Sequence, residues 1–154
     1  MWVELPPVWI GVLNLLGIPA VHLLVAWVSA RLPREWFQDS GRIGKWEEGF
    51  YEKVLRVRRW KGLLPDAGPW FGGMAKRRLE SRNREYLRNL LQETRRGEWS
   101  HWVQMGAVNV CLLWTPMPWG WVIAGYALLS NLPCVVSLRH TRLRLRRIVA
   151  TSDR

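Results

Sequence analysis

The sequence predicts an all-α integral membrane protein with about three transmembrane helices and with amphipathic helices at the cytoplasmic interface. Two stretches, residues 7–30 and 99–138, contain no Asp, Glu, Lys or Arg. About 20 apolar residues cross a bilayer core, so the first stretch is long enough for one crossing and the second for two. An apolar content of 49% with 12 tryptophans is unusual for a soluble chain of 154 residues.

The order of apolar and charged segments predicts how the chain crosses the cell membrane. Residues 115–120, Thr-Pro-Met-Pro-Trp-Gly, predict a tight turn, so the expected spans are residues 7–30, 99–115 and 119–138. The polar segment 31–98 holds 17 of the 23 Lys and Arg residues, and the tail 139–154 holds the other six. The positive-inside rule therefore makes both regions cytoplasmic, with the N-terminus outside and the C-terminus inside. Residues 1–154 form a single multi-pass membrane domain.

Two other interpretations of these features are weaker. Residues 28–30, Val-Ser-Ala, suit cleavage of a signal peptide, but the apolar stretch has no positive charge before it and is longer than a signal peptide needs. The net charge of +11 suits nucleic acid, yet a basic surface that faces anionic lipid explains it without that partner. We therefore expect a lipid bilayer and no nucleic acid. Three spans build a thin core, so a homo-oligomer is compatible with the sequence.

Two apolar patterns at helical spacing predict interfacial helices in the polar segment. Residues 45–57 carry the first stripe, which consists of Trp46, Phe50, Tyr51, Val54 and Val57. The second pattern predicts a helix of about 20 residues in the interface plane, and it consists of Leu79, Tyr86, Leu87, Leu90 and Leu91. The Pro- and Gly-rich residues 64–73 between them predict a loop, which at an interface can close over a ligand.

Candidate catalytic groups lie at the cytoplasmic start of the second span. At about 100° per residue, Glu93, Glu98 and His101 share one helix face within an arc of about 140°. A carboxylate that accepts the imidazole N–H fixes its tautomer, which suits His101 to take a proton from a substrate hydroxyl. An ordinary i,i+3 pair is the alternative. Di-iron bundles also use Glu-x-x-His, but they need a second such pair, which this sequence lacks, so we expect no metal.

The third span and the tail supply further polar candidates. Asn131 is a buried amide close to a proline that frees a backbone carbonyl within the span. If the second and third spans pack as a hairpin, Arg139, Arg142 and Arg144 emerge near His101, where guanidinium groups can bind the phosphates of a coenzyme or a lipid headgroup. His22, in the first span, fits a helix-packing hydrogen bond better than a site residue.

Taken together, these residues resemble the glycosyl-4,4'-diaponeurosporenoate acyltransferase family between about residues 30 and 149. The strongest block is residues 93–102, Glu-Thr-Arg-Arg-Gly-Glu-Trp-Ser-His-Trp, which is similar to the family's Glu-Thr-Lys-Arg-Ala-Glu-x-x-His-Trp. The other matching residues are Arg31-Leu32-Pro33, Trp36-Phe37, Val57-Arg58-Arg59-Trp60-Lys61, Asp66, Asn131-x-Pro133, Arg139, Arg142 and Arg144. The chain differs from the family at Leu138, His140-Thr141 and Leu143, where the family has Gln, Tyr-Asn and Pro.

The resemblance implies a membrane acyltransferase that moves a fatty acyl group from acyl-CoA, as a co-substrate rather than a bound cofactor, to a hydroxyl of a glycosylated carotenoid or glycolipid. His101 is then the general base, Glu98 orients it, and Glu93 supports that face. The implied substrate-binding residues are Arg95, Trp60, Lys61, Asp66, Trp102, Asn131, Arg139, Arg142 and Arg144. Two alternatives stay open, namely a non-catalytic membrane subunit that binds anionic lipid or a partner, and a metal-dependent lipid oxidoreductase.

Overall fold

The computed structural model describes residues 3–39, 45–66, 68–76, 79–81 and 83–152, and the regular structure within these ranges is entirely helical. The α-helices are α1 Pro7–Arg31, α2 Lys45–Gly49, α3 Val57–Trp60, α4 Arg84–Val108 and α5 Trp119–Ser152. A π-helical turn, Phe50–Val54, continues α2, and 3₁₀ turns occupy Arg34–Phe37, Lys61–Leu63, Gly68–Phe71 and Asn109–Leu113. The predicted all-α class is confirmed.

α4 packs between the other two long helices, α1 and α5, and runs antiparallel to both. Asn14 of α1 donates to the Thr115 hydroxyl at 3.0 Å, and at the other end of α1 the Ala30 carbonyl accepts from Arg96 Nη1 at 3.0 Å. α4 and α5 pack along their length in the same opposed sense, so the hairpin expected for the second and third spans forms.

Two helices, α1 and α5, are long and apolar enough to cross a membrane. Large apolar side chains on both are exposed, among them Leu15, Leu24, Trp121 and Leu129. A core helix of a soluble protein buries such residues, so these faces suit lipid and support membrane association. The segment expected as the second span is divided between the end of α4 and the turn Asn109–Leu113. The three-span topology and its orientation stay predictions.

The first predicted interfacial helix is not a single helix. The π-helical turn ends at Val54, and Arg56 then adopts a left-handed backbone conformation, with φ of 47°, which redirects the chain before α3. The predicted apolar stripe is split as a result. Tyr51 and Val57 are buried against Leu143 of α5, whereas Trp46 is exposed.

The second predicted interfacial helix is the first half of α4, and it leads directly into the segment expected as the second span. Asn83 caps α4 by accepting the Glu85 backbone N–H at 3.1 Å, and the helix continues unbroken into the apolar stretch. Leu87 packs on Leu145 of α5 rather than facing lipid, and Leu79 precedes the helix. Tertiary packing against α5 therefore decides the course of this segment.

α5 also joins two regions that the sequence separates. It passes through Pro133 without ending, so the predicted span 119–138 and the tail as far as Ser152 form one helix, and residues 153 and 154 lie outside the described residues. The Asp39 carboxylate binds Arg146 on this helix. The basic tail is therefore a helical extension of the predicted span, and Arg139, Arg142 and Arg146 on it pair with carboxylates of neighbouring segments.

Apolar and polar layers alternate along the three-helix core. Near the α4–α5 turn, Val108, Cys111, Ile123 and Ala127 pack together with side chains of α1. At the opposite end, Leu87, Leu90, Leu91 and Leu145 form a second apolar cluster. The layer between them contains His22, Glu98, His101, Gln104 and Asn131. Burial of polar groups is costly unless they are paired, so a polar layer between apolar ones marks a candidate site.

Candidate active site

A cavity of about 720 Å³ opens between α1, α4, α5 and the loop 64–76. His22, His101 and Asn131 face it from the three helices, while Lys61 and Asp66 face it from the polar segment 31–98. Small side chains such as Ala26, Ser29, Ser130 and Ser137 leave the space open between α1 and α5. The volume is within the range of small-molecule sites, and the lining combines polar and charged side chains with small and apolar ones.

Asn131 is the hydrogen-bonding partner of His101. Its side-chain Oδ1 lies 3.0 Å from His101 Nδ1, and its Nδ2 donates to the Ala127 carbonyl at 3.0 Å. A reversed amide would set two acceptor oxygens against each other at Ala127, so these contacts determine which way the amide points. The oxygen can only accept, and His101 Nδ1 must therefore carry the proton.

The proton on Nδ1 leaves a lone pair on Nε2 of the neutral ring. His101 is partly buried and lines the cavity, so a substrate in the cavity can contact its imidazole ring. The arrangement is that of a general base in a defined tautomer.

Glu98 does not orient His101, and in this respect the predicted dyad is wrong. The carboxylate accepts from Arg139 Nε and from Arg142 Nη2 of α5, each at 2.5 Å. Burial raises the pKa of Glu98, but the bonds from Arg139 and Arg142 outweigh burial and bring the pKa below its usual value. The i,i+3 spacing places Glu98 near His101 in sequence, yet its side chain is held by two arginines of the neighbouring helix.

Glu93 links α4 to the loop and, through Arg96, to α1. Its carboxylate lies 2.7 Å from Arg96 Nη2 and 3.4 Å from Lys76 Nζ. Arg96 also donates to the last turn of α1, and the Lys76 backbone N–H donates to the Asp66 carboxylate at 2.6 Å. Glu93 and Asp66 thus hold the closing loop in place and line the cavity at the same time.

His22 joins the cavity through contacts that the sequence indicated only as packing. Its Nδ1 lies 3.2 Å from Gln104 Oε1, while Gln104 Nε2 donates to the His22 carbonyl at 3.2 Å. The Tyr126 hydroxyl lies 3.4 Å from His22 Nε2. The expected packing bond is therefore present, and the residue also faces the cavity. Gln104 was missed, although its spacing of three residues from His101 in an uncharged stretch was a usable signal.

The structure brings only some of the other predicted substrate-binding residues to the cavity. Lys61, Asp66 and Asn131 line it. Trp60 instead packs in the cluster around Val57 and donates from Nε1 to the Leu55 carbonyl at 2.9 Å. The side chains that are exposed and do not line the cavity are Arg95, Trp102 and Arg144. A role in binding stays a prediction for each of these residues.

The described ranges contain no group of three or more His, Cys, Asp or Glu side chains that could hold a metal ion. Cys111 is buried in the apolar cluster, whereas Cys134 lines the cavity, where its thiol donates to the Ser130 carbonyl at 3.7 Å.

These features define a class of protein, a helical enzyme with two helices apolar enough to cross a membrane and with an imidazole in an internal cavity bordered by basic residues. A family model described as glycosyl-4,4'-diaponeurosporenoate acyltransferase matches residues 33–151. The chain belongs to this family, and the predicted enzyme class, an acyltransferase, is confirmed. The family match sets aside the non-catalytic subunit and the lipid oxidoreductase.

Curated relatives carry the same name. The glycosyl-4,4'-diaponeurosporenoate acyltransferase of Staphylococcus haemolyticus (strain JCSC1435) is 28% identical over 131 residues, which cover 81% of this chain and 76% of that protein. The protein of that name from Staphylococcus aureus (strain USA300) is 26% identical over 135 residues, 84% of this chain and 81% of the relative. No solved structure matches the chain.

Proposed function

We propose that this chain transfers a fatty acyl group from acyl-CoA to a sugar hydroxyl of a glycosylated carotenoid, or of a closely related glycolipid, at the cytoplasmic face of the cell membrane. The relatives are named for acyl transfer to a glycosylated carotenoid acid. The cavity suits this pair of substrates, since apolar helices border one side and a basic segment borders the other. A membrane-dissolved acceptor and a water-soluble donor can both reach it.

The observation that carries the mechanism is the bond between His101 Nδ1 and Asn131 Oδ1. With Nδ1 protonated, His101 Nε2 takes the proton of the acceptor hydroxyl as its oxygen attacks the thioester carbonyl carbon. The C–S bond then breaks, and the departing thiolate takes the proton back from the imidazolium. The products are the ester and free coenzyme A, and His101 returns to its neutral form.

The proposal includes three membrane crossings, with the N-terminus outside and the C-terminus inside. Polar contacts join α4 to α1 at Asn14, His22 and Ala30, so the second half of α4 lies beside α1 along its length. If α1 and α5 cross the bilayer, this part of α4 occupies the same depth. His101 then lies near the cytoplasmic interface. Because α1 lines the cavity, the proposal also requires that α1 is not cleaved off as a signal peptide.

The test is substitution of His101 by alanine in cells that make the glycosylated carotenoid. Loss of a general base lowers the rate by about 100-fold or more. Mass spectrometry of extracted pigments should show the unacylated glycoside accumulating, with the fatty-acyl mass absent. Gln92→Ala, on the same helix but outside the cavity, is the matched control. Acylation at the control level by a folded, membrane-inserted His101→Ala variant would rule out the proposed base.

A further inference from the structure

A group of basic side chains lies where the cytoplasmic segment meets α5. Arg58 and Lys61 line the cavity, and Arg144 of α5 is close enough to Lys61 for their charges to interact. We call Arg58, Lys61 and Arg144 the cation cluster. In the part of the chain that the structure describes, Glu52 pairs with Arg58 at 2.6 Å, while Lys61 and Arg144 have no ion-pair partner. One carboxylate therefore faces three positive charges.

The other cations near the cavity each have a carboxylate partner. Arg139 and Arg142 share the carboxylate of Glu98. Lys76 and Arg96 share that of Glu93. Glu93 and Glu98 each face two cations, whereas the cation cluster sets three cations against the single carboxylate of Glu52. Burial, followed by the charges of Arg144 and Arg58, lowers the pKa of Lys61. A bound anion would relieve this repulsion.

The position of the cluster indicates which part of a ligand it would meet. The Arg58 side chain is 60% exposed, so the cluster lies at the solvent-facing mouth of the cavity, whereas His101 lines the same cavity between the helices. The acyl donor fits this arrangement, because a flexible arm separates its phosphates at one end from its thioester at the other. Phosphates at the mouth would leave the thioester free to reach the imidazole.

We propose that Arg58, Lys61 and Arg144 form a phosphate-binding site that holds the nucleotide phosphates of the acyl donor at the cavity mouth. The inference rests on the proposed function, since it assumes a coenzyme A thioester as the donor. It also shifts donor recognition from Arg139 and Arg142, which Glu98 already holds, to the cation cluster. An anionic phospholipid headgroup offers the same phosphate chemistry and is the competing source.

The experiment measures binding of coenzyme A itself to the full-length protein in nanodiscs of zwitterionic lipid. Loss of one charge-assisted hydrogen bond to phosphate should weaken binding about tenfold, so we expect Lys61→Gln and Arg144→Gln to raise the Kd for coenzyme A by that factor. Arg88→Gln removes one exposed positive charge elsewhere on α4 and should leave the Kd unchanged. Pantetheine, which lacks the nucleotide phosphates, should bind the variants and the wild type equally.

Two results would overturn the inference. Equal losses of coenzyme A and pantetheine binding would mean that the variants damage the cavity rather than a phosphate site. An unchanged Kd for coenzyme A, together with loss of phosphatidylglycerol that co-purifies with the wild type, would assign the cluster to lipid headgroups. Since binding is measured without turnover, failure of acyl transfer would count against the proposed function alone.

Discussion

The side-chain amide of Asn131 selects one tautomer of His101, and that choice makes the ring a base rather than a donor toward the cavity. The Ala127 carbonyl accepts from the same amide and keeps it from turning. Asn131 is therefore a positioning residue that acts through His101.

Replacement of Asn131 tests this role. Asn131→Leu removes the acceptor and should lower kcat by about tenfold to 100-fold with little change in KM, since the base is misplaced while the cavity remains. Asn131→Asp retains an oxygen that accepts the Nδ1 proton and should recover much of the loss. Steady-state kinetics on purified variants measure both constants. Equal activity of the two variants would show that the amide does not set the tautomer.

Glu98 has a structural role that depends on pH. Its folded-state pKa is lowered from 4.5, since the arginine contacts outweigh the opposing effect of burial. A carboxyl group with a lowered folded-state pKa stabilises the protein fully above the unfolded-state value, and this stabilisation is lost as pH falls through the folded-state value. The contact between α4 and α5 at Glu98 should therefore loosen under acid conditions below about pH 4.5.

We expect Glu98→Gln to lower the free energy of unfolding by about 3 kcal/mol at neutral pH, because Arg142 is buried and loses its anionic partner. Thermal unfolding of the purified protein between pH 3 and 7 measures the effect, and the variant should show less of the acid-dependent loss seen in the wild type. Exposed Glu80→Gln is the control. If the Glu98→Gln variant unfolds at the wild-type temperature at every pH, the contacts of Glu98 with Arg139 and Arg142 do not stabilise the fold.

At the scale of elements, the loop 64–76 closes the cavity through close backbone contacts. The Gly73 N–H donates to the Gly68 carbonyl at 2.9 Å. A Cβ at position 73 would lie 2.6 Å from Glu93 Oε1 and 2.9 Å from the Gly68 carbonyl oxygen. The loop therefore requires glycine at this position to pack against α4.

Gly73→Ala should destabilise the protein by about 1–3 kcal/mol, because a backbone oxygen and a paired carboxylate both stand in the way of the new methyl group. Gly62→Ala is the matched control, since a Cβ there meets no atom within 4 Å. Differential scanning fluorimetry in detergent compares the two melting temperatures. If both variants have the same melting temperature, the loop does not pack as tightly as these contacts indicate.

The two amphipathic patterns show why element boundaries depended on context. Both stripes were visible in the sequence, but Arg56 ends one pattern early, and the other continues into α4. Helical periodicity reports which residues share a face and does not say whether lipid or another helix covers that face. Leu145, more than 50 residues further along the chain, covers part of the second stripe.

At the scale of the whole molecule, the sorting of charge predicts which surfaces face the cytoplasm. Cysteine labelling tests the proposed three-span topology in a background that lacks Cys111 and Cys134. A membrane-impermeant maleimide should label Met117→Cys, in the α4–α5 turn, in intact cells. Leu63→Cys should react only after the cells are opened. Both native side chains are well exposed. Labelling of Leu63→Cys in intact cells would reverse the proposed orientation.

The sequence by itself determined the helical class and the family, and it predicted a basic cytoplasmic face and a role for His101, because these follow from composition, hydropathy and short motifs that lie close together along the chain. Only the tertiary structure decided which side chains pair with Glu98 and His101. The shared face of α4 places Glu98 close enough to His101 to be its partner, but it does not exclude a partner such as Asn131 from another helix. Packing of α5 against α4 then supplies arginines to Glu98 and the amide to His101. Such pairing across 30 or more residues depends on how helices dock, which local patterns do not specify.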